Sequence, residues 1–269
     1  MPATIVSLSH DTVSACLSVC VNALAEGGVI VFPTESSYAL GADATNAAAV
    51  DKVYEMKARP ASKGMPVLVD SIETMARYAD VEGLPRFLAE KLMPGQLNLV
   101  VRQTPGALAP NVGERDTIAF RIPNHEFDLR LAKAYGKPIT ATSANLSGHP
   151  AIYSSVEAVT RFVRDASVIV DVGDLPLRSF STIFDLTRQP YAITRQGMLS
   201  AKKLYATVRQ YYESQPSSAM PEWASQAELA RADATPKSAT PSKPTTSLTP
   251  ANAPKTAQPV KPKVVQKRK

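Results

Sequence analysis

Apolar residues recur at Val13, Cys16, Leu17, Cys20, Val21 and Leu24. That spacing places them on one face of a helix. Gly27-Gly28 stops the helix, and Asp11 or Thr12 stands where a cap is needed. The unbroken apolar run Val29–Phe32 reads as a buried strand and leads into a polar turn, Pro33-Thr34-Glu35-Ser36-Ser37. Asn46 is placed to cap a second helix through about Met56, with Ala47, Val50, Val53 and Tyr54 turned inward. The pattern then predicts a short strand at Pro66–Val69, helices at about 71–79 and 84–92, and strands at Leu97–Arg102 and Thr117–Arg121. A helix over 126–135 stops at Gly136, followed by a strand at Pro138–Ala141 and a helix over 155–164. Val168–Val170, Thr182–Leu186 and Tyr191–Thr194 close the sheet. Strands alternating with helices imply an α/β architecture. The short connections between the late strands imply that part of the sheet is antiparallel.

Composition and charge divide the chain in two. Its 269 residues, 44% of them hydrophobic, suffice for one substantial core or a core with a tail. The net charge of +6 is an average over unlike parts. Nine Lys/Arg and one Asp lie from Arg231 onward, leaving 21 Lys/Arg against 23 Asp/Glu before it. A folded region over 1–214 is therefore near neutral. Residues 215–269 read as a basic, disordered tail rich in Pro, Ala, Thr and Lys, with too few large apolar side chains to offset ordering entropy. Cys16 and Cys20 stand one helical turn apart and read as small buried hydrophobes, not a redox or metal pair. No signal-peptide pattern and no run of about 20 apolar residues is present, so the expectation is a soluble, cytoplasmic chain without a membrane contact.

The sequence has no glycine-rich phosphate loop, no Ser/His/Asp order and no carboxylate cluster able to cage a metal. His125 and His149 each sit in a polar loop and read as solvent-exposed. Any phosphate chemistry must then rely on cations, hydroxyls and backbone amides. Lys57 and Arg59 end a helix, the hydroxyl-rich segment Thr140–Gly148 follows a strand, and Ser181-Thr182 opens one strand while Arg195 ends the next. Each has a plain alternative: solvated cations, a capped turn, a surface arginine. All lie at strand or helix ends, where open α/β sheets bind ligands.

Taken together, Phe32-Pro-Thr-Glu35 with Tyr38, Lys57-Ala-Arg59-Pro60, Met93-Pro-Gly95, Thr117-Ile-Ala-Phe-Arg121, Thr142-Ser-Ala-Asn-Leu-Ser-Gly148, Ser181-Thr-Ile183 and Arg195-x-Gly197 resemble the YrdC/Sua5 family, the L-threonylcarbamoyladenylate synthases. The resemblance implies a YrdC-like catalytic domain: a twisted mixed parallel/antiparallel sheet with flanking helices and a deep, positively charged cleft. It implies a nucleotidyltransferase that makes L-threonylcarbamoyl-AMP from ATP, bicarbonate and L-threonine. The product would serve the threonylcarbamoyl modification of adenosine 37 in tRNAs reading ANN codons, through a downstream transferase complex. On the family pattern, Lys57 and Arg59 are catalytic. Lys57, Arg59, Thr117, Ser143, Asn145 and Arg195 would bind ATP, and Thr34, Arg121 and Ser181 would bind threonine, with Arg121 on its carboxylate. Mg²⁺ is expected with ATP, held mainly by the phosphates. The basic tail suggests contact with tRNA or double-stranded RNA. The alternative is a non-catalytic YrdC-like nucleotide- or RNA-binding module; the retained Lys57/Arg59 pair favours the enzyme. Ala39, Met93 and Asp70 replace the family's usual glycine, tryptophan and histidine.

Overall fold

A computed structural model describes residues 2–60 and 63–215, all within one compact unit, Met1–Ala234. The basic segment expected to be disordered lies, from residue 216 on, outside the described residues. The strands separate into two sheets. The first comprises β1 (Thr4–Ser7), β2 (Ile30–Pro33), β3 (Tyr38–Gly41), β8 (Thr142–Ser143) and β9 (Val168–Asp171) in the order β1-β9-β2-β3-β8. The second comprises β4 (Val67–Leu68), β5 (Leu97–Arg102), β6 (Thr117–Arg121), β7 (Ile139–Thr140), β10 (Thr182–Asp185) and β11 (Ala192–Arg195) in the order β11-β10-β5-β6-β4-β7. Both mix parallel and antiparallel pairs, as expected, but the late strands do not close one sheet. β9 joins the first, parallel to β1 and β2, while β10 joins the second, parallel to β5. Residues 139–143 pass from the edge of the second sheet to the edge of the first.

All the described helices except the last form where the periodicity places them, although in the second helix Ala49 rather than Ala47 is turned inward. α1 (Val13–Ala25) buries Cys16, Cys20, Ala23 and Leu24 and packs on α5 (Glu126–Tyr135) against one face of the first sheet. Thr12 is its N-cap residue, but its hydroxyl donates to Ser7 O at 2.7 Å instead of capping the helix. In α2 (Ala47–Lys57) the Asn46 side chain does accept the Ala49 amide, at 3.2 Å. α3 (Ile72–Ala76), α4 (Leu84–Leu92) and α6 (Ser155–Phe162) follow the expected positions, α3 and α6 ending earlier. β1, β3, β8 and α7 (Ala201–Ser214) were not foreseen. α7 lays Leu204 and Val208 into the main core and stacks Tyr211 on Phe87 of α4. Each fully buried Leu, Val or Phe contributes about 1.5–3 kcal/mol relative to an exposed one, so even this sparse stripe suffices to dock a helix.

Alternation along β5 and β6 decides what the second sheet does. Leu99, Val101, Ile118 and Phe120 face the core. Asn98, Val100, Arg102, Thr117, Ala119 and Arg121 face a cavity on the other side. The period of two turns one face to the hydrophobic layer and the other to a polar floor. Ala39 lies within β3 opposite Phe32, without a positive φ, so no glycine is needed there. Met93 is buried in the core. Asp70 accepts from Ser71 Oγ at 3.4 Å beside α3.

Candidate active site

The cavity has a volume of about 680 Å³. Seven of the residues expected from sequence line it: Thr34, Arg59, Thr117, Arg121, Ser143, Ser181 and Arg195. They come from the β2–β3 turn, the end of α2, β6, β8 and the β10–β11 pair. Lys57 and Asn145 stand behind Ser143 rather than on the wall. Lys57 is not the solvated cation that its helix-end position suggests: it is 2% exposed. Its ammonium donates to Ser143 O, to Asn145 O at 3.0 Å and to Asn145 Oδ1 at 3.0 Å. Burial, and then the nearby Arg59 charge, lower its pKa to about 8. The Asn145 oxygen also accepts from Ser143 Oγ at 2.6 Å, while its amide donates to Leu146 O and His149 O. Lys57 and Asn145 thus fix the Ser143–His149 loop from inside.

The Lys57-x-Arg59 spacing works because Ala58 adopts a left-handed conformation, φ 46°. Such a residue ends a helix and turns the chain away from its axis. Lys57 therefore points inward and Arg59 toward the cavity. Arg59 donates to Lys63 O at 3.0 Å and Gly64 O at 2.8 Å. Arg195 donates to Ser181 O at 3.1 Å and stacks 5.4 Å from the Phe180 ring centroid. Neither has a carboxylate within 4.0 Å among the described residues, whereas Arg102 pairs with Asp116 and Arg188 with Asp185. Arg59 and Arg195 keep free charge for an anion. The Arg195-x-Gly197 segment lies pressed on the start of β10. A Cβ on Gly197 would sit 2.2 Å from Phe180 O and 2.5 Å from Thr182 N, so only glycine fits.

At another part of the cavity a buried polar network surrounds Arg121. Arg121 is ion-paired with Glu35. Gln96 donates to Glu35 Oε1 at 3.3 Å and accepts from Ser181 Oγ at 3.2 Å. Thr34 Oγ1 donates to Ser37 O at 2.8 Å and accepts the Ser36 amide at 3.2 Å, which shapes the turn carrying Glu35. Thr117 Oγ1 donates to Glu114 O at 2.8 Å. His125 is not the exposed loop histidine expected. It is half-buried, bonds Asp128 Oδ1 at 2.9 Å, and has its pKa raised by that carboxylate against the pull of burial. In the sequence Glu35 stands out only as part of a motif. Gln96, Asn98 and Asp128 were missed, although a lone Asn in the apolar strand LNLVV and an Asp three residues after His125 are legible signals.

This arrangement joins a pair of uncompensated arginines to a buried Arg–Glu pair flanked by hydroxyls. A family model described as "Telomere recombination", Sua5/YciO/YrdC, matches residues 22–197. The chain belongs to the Sua5/YciO/YrdC family. A threonylcarbamoyl-AMP synthase of Pyrococcus abyssi is 34% identical over 180 residues, covering 66% of this chain and 53% of the relative. One from Pseudoalteromonas translucida is 34% identical over 158 residues, covering 58% of this chain and 84% of the relative. This family member therefore spans about half the length of the archaeal relative and most of the bacterial one. The structure of P. abyssi Sua5 complexed with L-threonine superposes with a TM-score of 0.69 at 30% identity, covering 77% of this chain and 61% of that one. Escherichia coli YciO, at 22% identity, shares the fold with a TM-score of 0.66 over 75% of this chain and 98% of its own.

Proposed function

We propose that this chain synthesises L-threonylcarbamoyl-AMP from ATP, bicarbonate and L-threonine. The observation that carries the reading is one cavity lined both by arginines free of carboxylates among the described residues, Arg59 and Arg195, and by Arg121, 11% exposed at its side chain and paired with Glu35, with Ser181 also on the wall. The first pair suits a polyphosphate, because guanidinium forks match phosphate oxygens. The second suits a small amino acid. The names of the 34%-identical relatives and the threonine complex of P. abyssi Sua5 support the same assignment.

In this reading Arg121 takes the threonine carboxylate, and the turn at Thr34 and the Ser181 hydroxyl shape the pocket around its side chain. Arg59 and Arg195 hold the phosphates, and Thr117 and Ser143 contact the nucleotide. Lys57 and Asn145 hold Ser143 and its loop in place. A carbamate oxygen attacks the α-phosphorus and pyrophosphate leaves. That step demands alignment and charge neutralisation more than a strong base, which fits a cavity whose lining lacks histidine. Among the described residues no group of three or more His, Cys, Asp or Glu stands ready to hold a metal. The Mg²⁺ of this proposal accordingly arrives as part of the nucleotide, on its phosphates. Among the described residues no helix is long and apolar enough to cross a membrane, and a cytoplasmic site of action is part of the proposal. So is delivery of the product to a transferase complex acting on tRNA adenosine 37, with the basic C-terminal segment as the candidate contact for tRNA or double-stranded RNA.

The test is pyrophosphate release from ATP by the purified chain. Release that requires both L-threonine and bicarbonate is the expected result. Equal turnover without threonine contradicts the proposal.

A further inference from the structure

The first turn of α5 brings a carboxylate to the cavity beside Arg121. Asp128 is 1% exposed and lines the cavity. Its Oδ1 is bonded by His125 Nδ1, but its Oδ2 is buried without any hydrogen-bond partner. A buried carboxylate oxygen lacking a donor carries a desolvation cost that is recovered only when something donates to it. Asn98 Oδ1, one residue beyond the Leu99–Phe120 pair of β5 and β6, is likewise buried, unpartnered and on the cavity wall. Arg121 Nε is buried without an acceptor. Glu35 Oε2 beside them is also buried and unpartnered, so the surroundings of Arg121 are short of donors at three oxygens and short of an acceptor at the Arg121 Nε. A molecule with an ammonium and a carboxylate on the same carbon supplies both.

We infer that Asp128 receives the α-ammonium group of the amino-acid substrate through Oδ2, so that the site selects a zwitterion over a hydroxy acid. The inference rests on the threonine reading above and adds the group that recognises the amine. Arg121 takes the carboxylate, and Asn98 Oδ1 is placed as a second acceptor. His125 orients the Asp128 carboxylate through Oδ1 and leaves Oδ2 directed at the ligand. The groups facing Asp128 are His125 at the start of its own helix, Arg121 on β6 and Glu35 in the β2–β3 turn. Burial raises the Asp128 carboxyl to about 6, opposed by His125 and Arg121. At neutral pH the carboxylate is ionised and ready for a cation.

The experiment is calorimetric titration of the full chain with L-threonine and with (R)-3-hydroxybutyrate, which is threonine without its amino group. The wild-type chain is expected to prefer threonine by about tenfold or more near pH 7.5, the scale of one charge-assisted hydrogen bond. Asp128→Asn should weaken threonine by that factor and leave hydroxybutyrate unchanged or tighter, bringing the two within about twofold. A variant that keeps the full preference overturns the inference. The wild-type chain gives a reading independent of any folding defect in the variant. Its preference for threonine should shrink as pH falls from about 7.5 to about 5, because Asp128 takes up a proton there and His125 gains charge. A preference constant over that range also overturns the assignment. A wild-type chain that binds neither compound is a different failure: it removes the amino-acid site itself, and Asp128's role with it.

Discussion

Two arginines carry the phosphate end of the proposed site. Among the described residues Arg59 and Arg195 hydrogen-bond only backbone carbonyls, and Arg195 lies over an aromatic ring, so replacing either removes charge from the cavity without breaking an ion pair. Arg59→Ala and Arg195→Ala are each expected to lower kcat/KM for ATP by about 30- to 1000-fold, the scale of one charge-assisted contact to phosphate, with little change in melting temperature. Near wild-type turnover in both would place the polyphosphate elsewhere. The spacing Lys57-x-Arg59 was legible in the sequence; the opposite directions of the two side chains were not. The helix ends between them on the left-handed backbone of Ala58, which an alanine does not announce. Glu35 and Arg121 were both visible as motif residues, but their pairing joins the turn after β2 to β6 and exists only once the two sheets are assembled.

At the level of elements, most segments follow from apolar periodicity. β5, β6 and α5 begin and end where the pattern puts them, because alternation and helical spacing are strong there and turn residues bound them. α7 escaped because its apolar stripe is thin within a polar stretch and gains its stability from α4. β1 escaped because three of its four residues are exposed at a sheet edge. The division of strands between two sheets was also hidden, since strand order depends on contacts distant in sequence. The junction of β10 and β11 offers a test at this scale. Gly197 donates its amide to Thr182 Oγ1 at 2.9 Å and leaves no room for a Cβ. Gly197→Ala is expected to push the segment off β10, displacing Arg195 and Ser181 together. Overpacking against backbone costs about 1–3 kcal/mol, so the variant should lose that much stability in urea unfolding and lose most activity as well. A variant as stable and active as wild type would show that this close approach does not position the site.

The molecule as a whole separates a near-neutral folded region from a strongly basic C-terminal segment. The family match ends at residue 197, and the described residues that line the cavity all precede 196. Removing residues 236–269 is therefore expected to leave the three-substrate reaction unchanged. Binding to tRNA should weaken, most at low salt, because lysine–phosphate contacts give way as counterions compete. Loss of threonine-dependent turnover without RNA would mean that the segment belongs to the catalytic unit. The central claim is that one cavity joins an amino acid, bicarbonate and a nucleotide. It is tested most directly by mass spectrometry of the product formed from ATP, L-threonine and ¹³C-bicarbonate. The account predicts a single species containing AMP and threonine, heavier by about one mass unit than that from unlabelled bicarbonate, since one carbon enters per product. An adenylate without the label, or AMP joined directly to threonine, would contradict it.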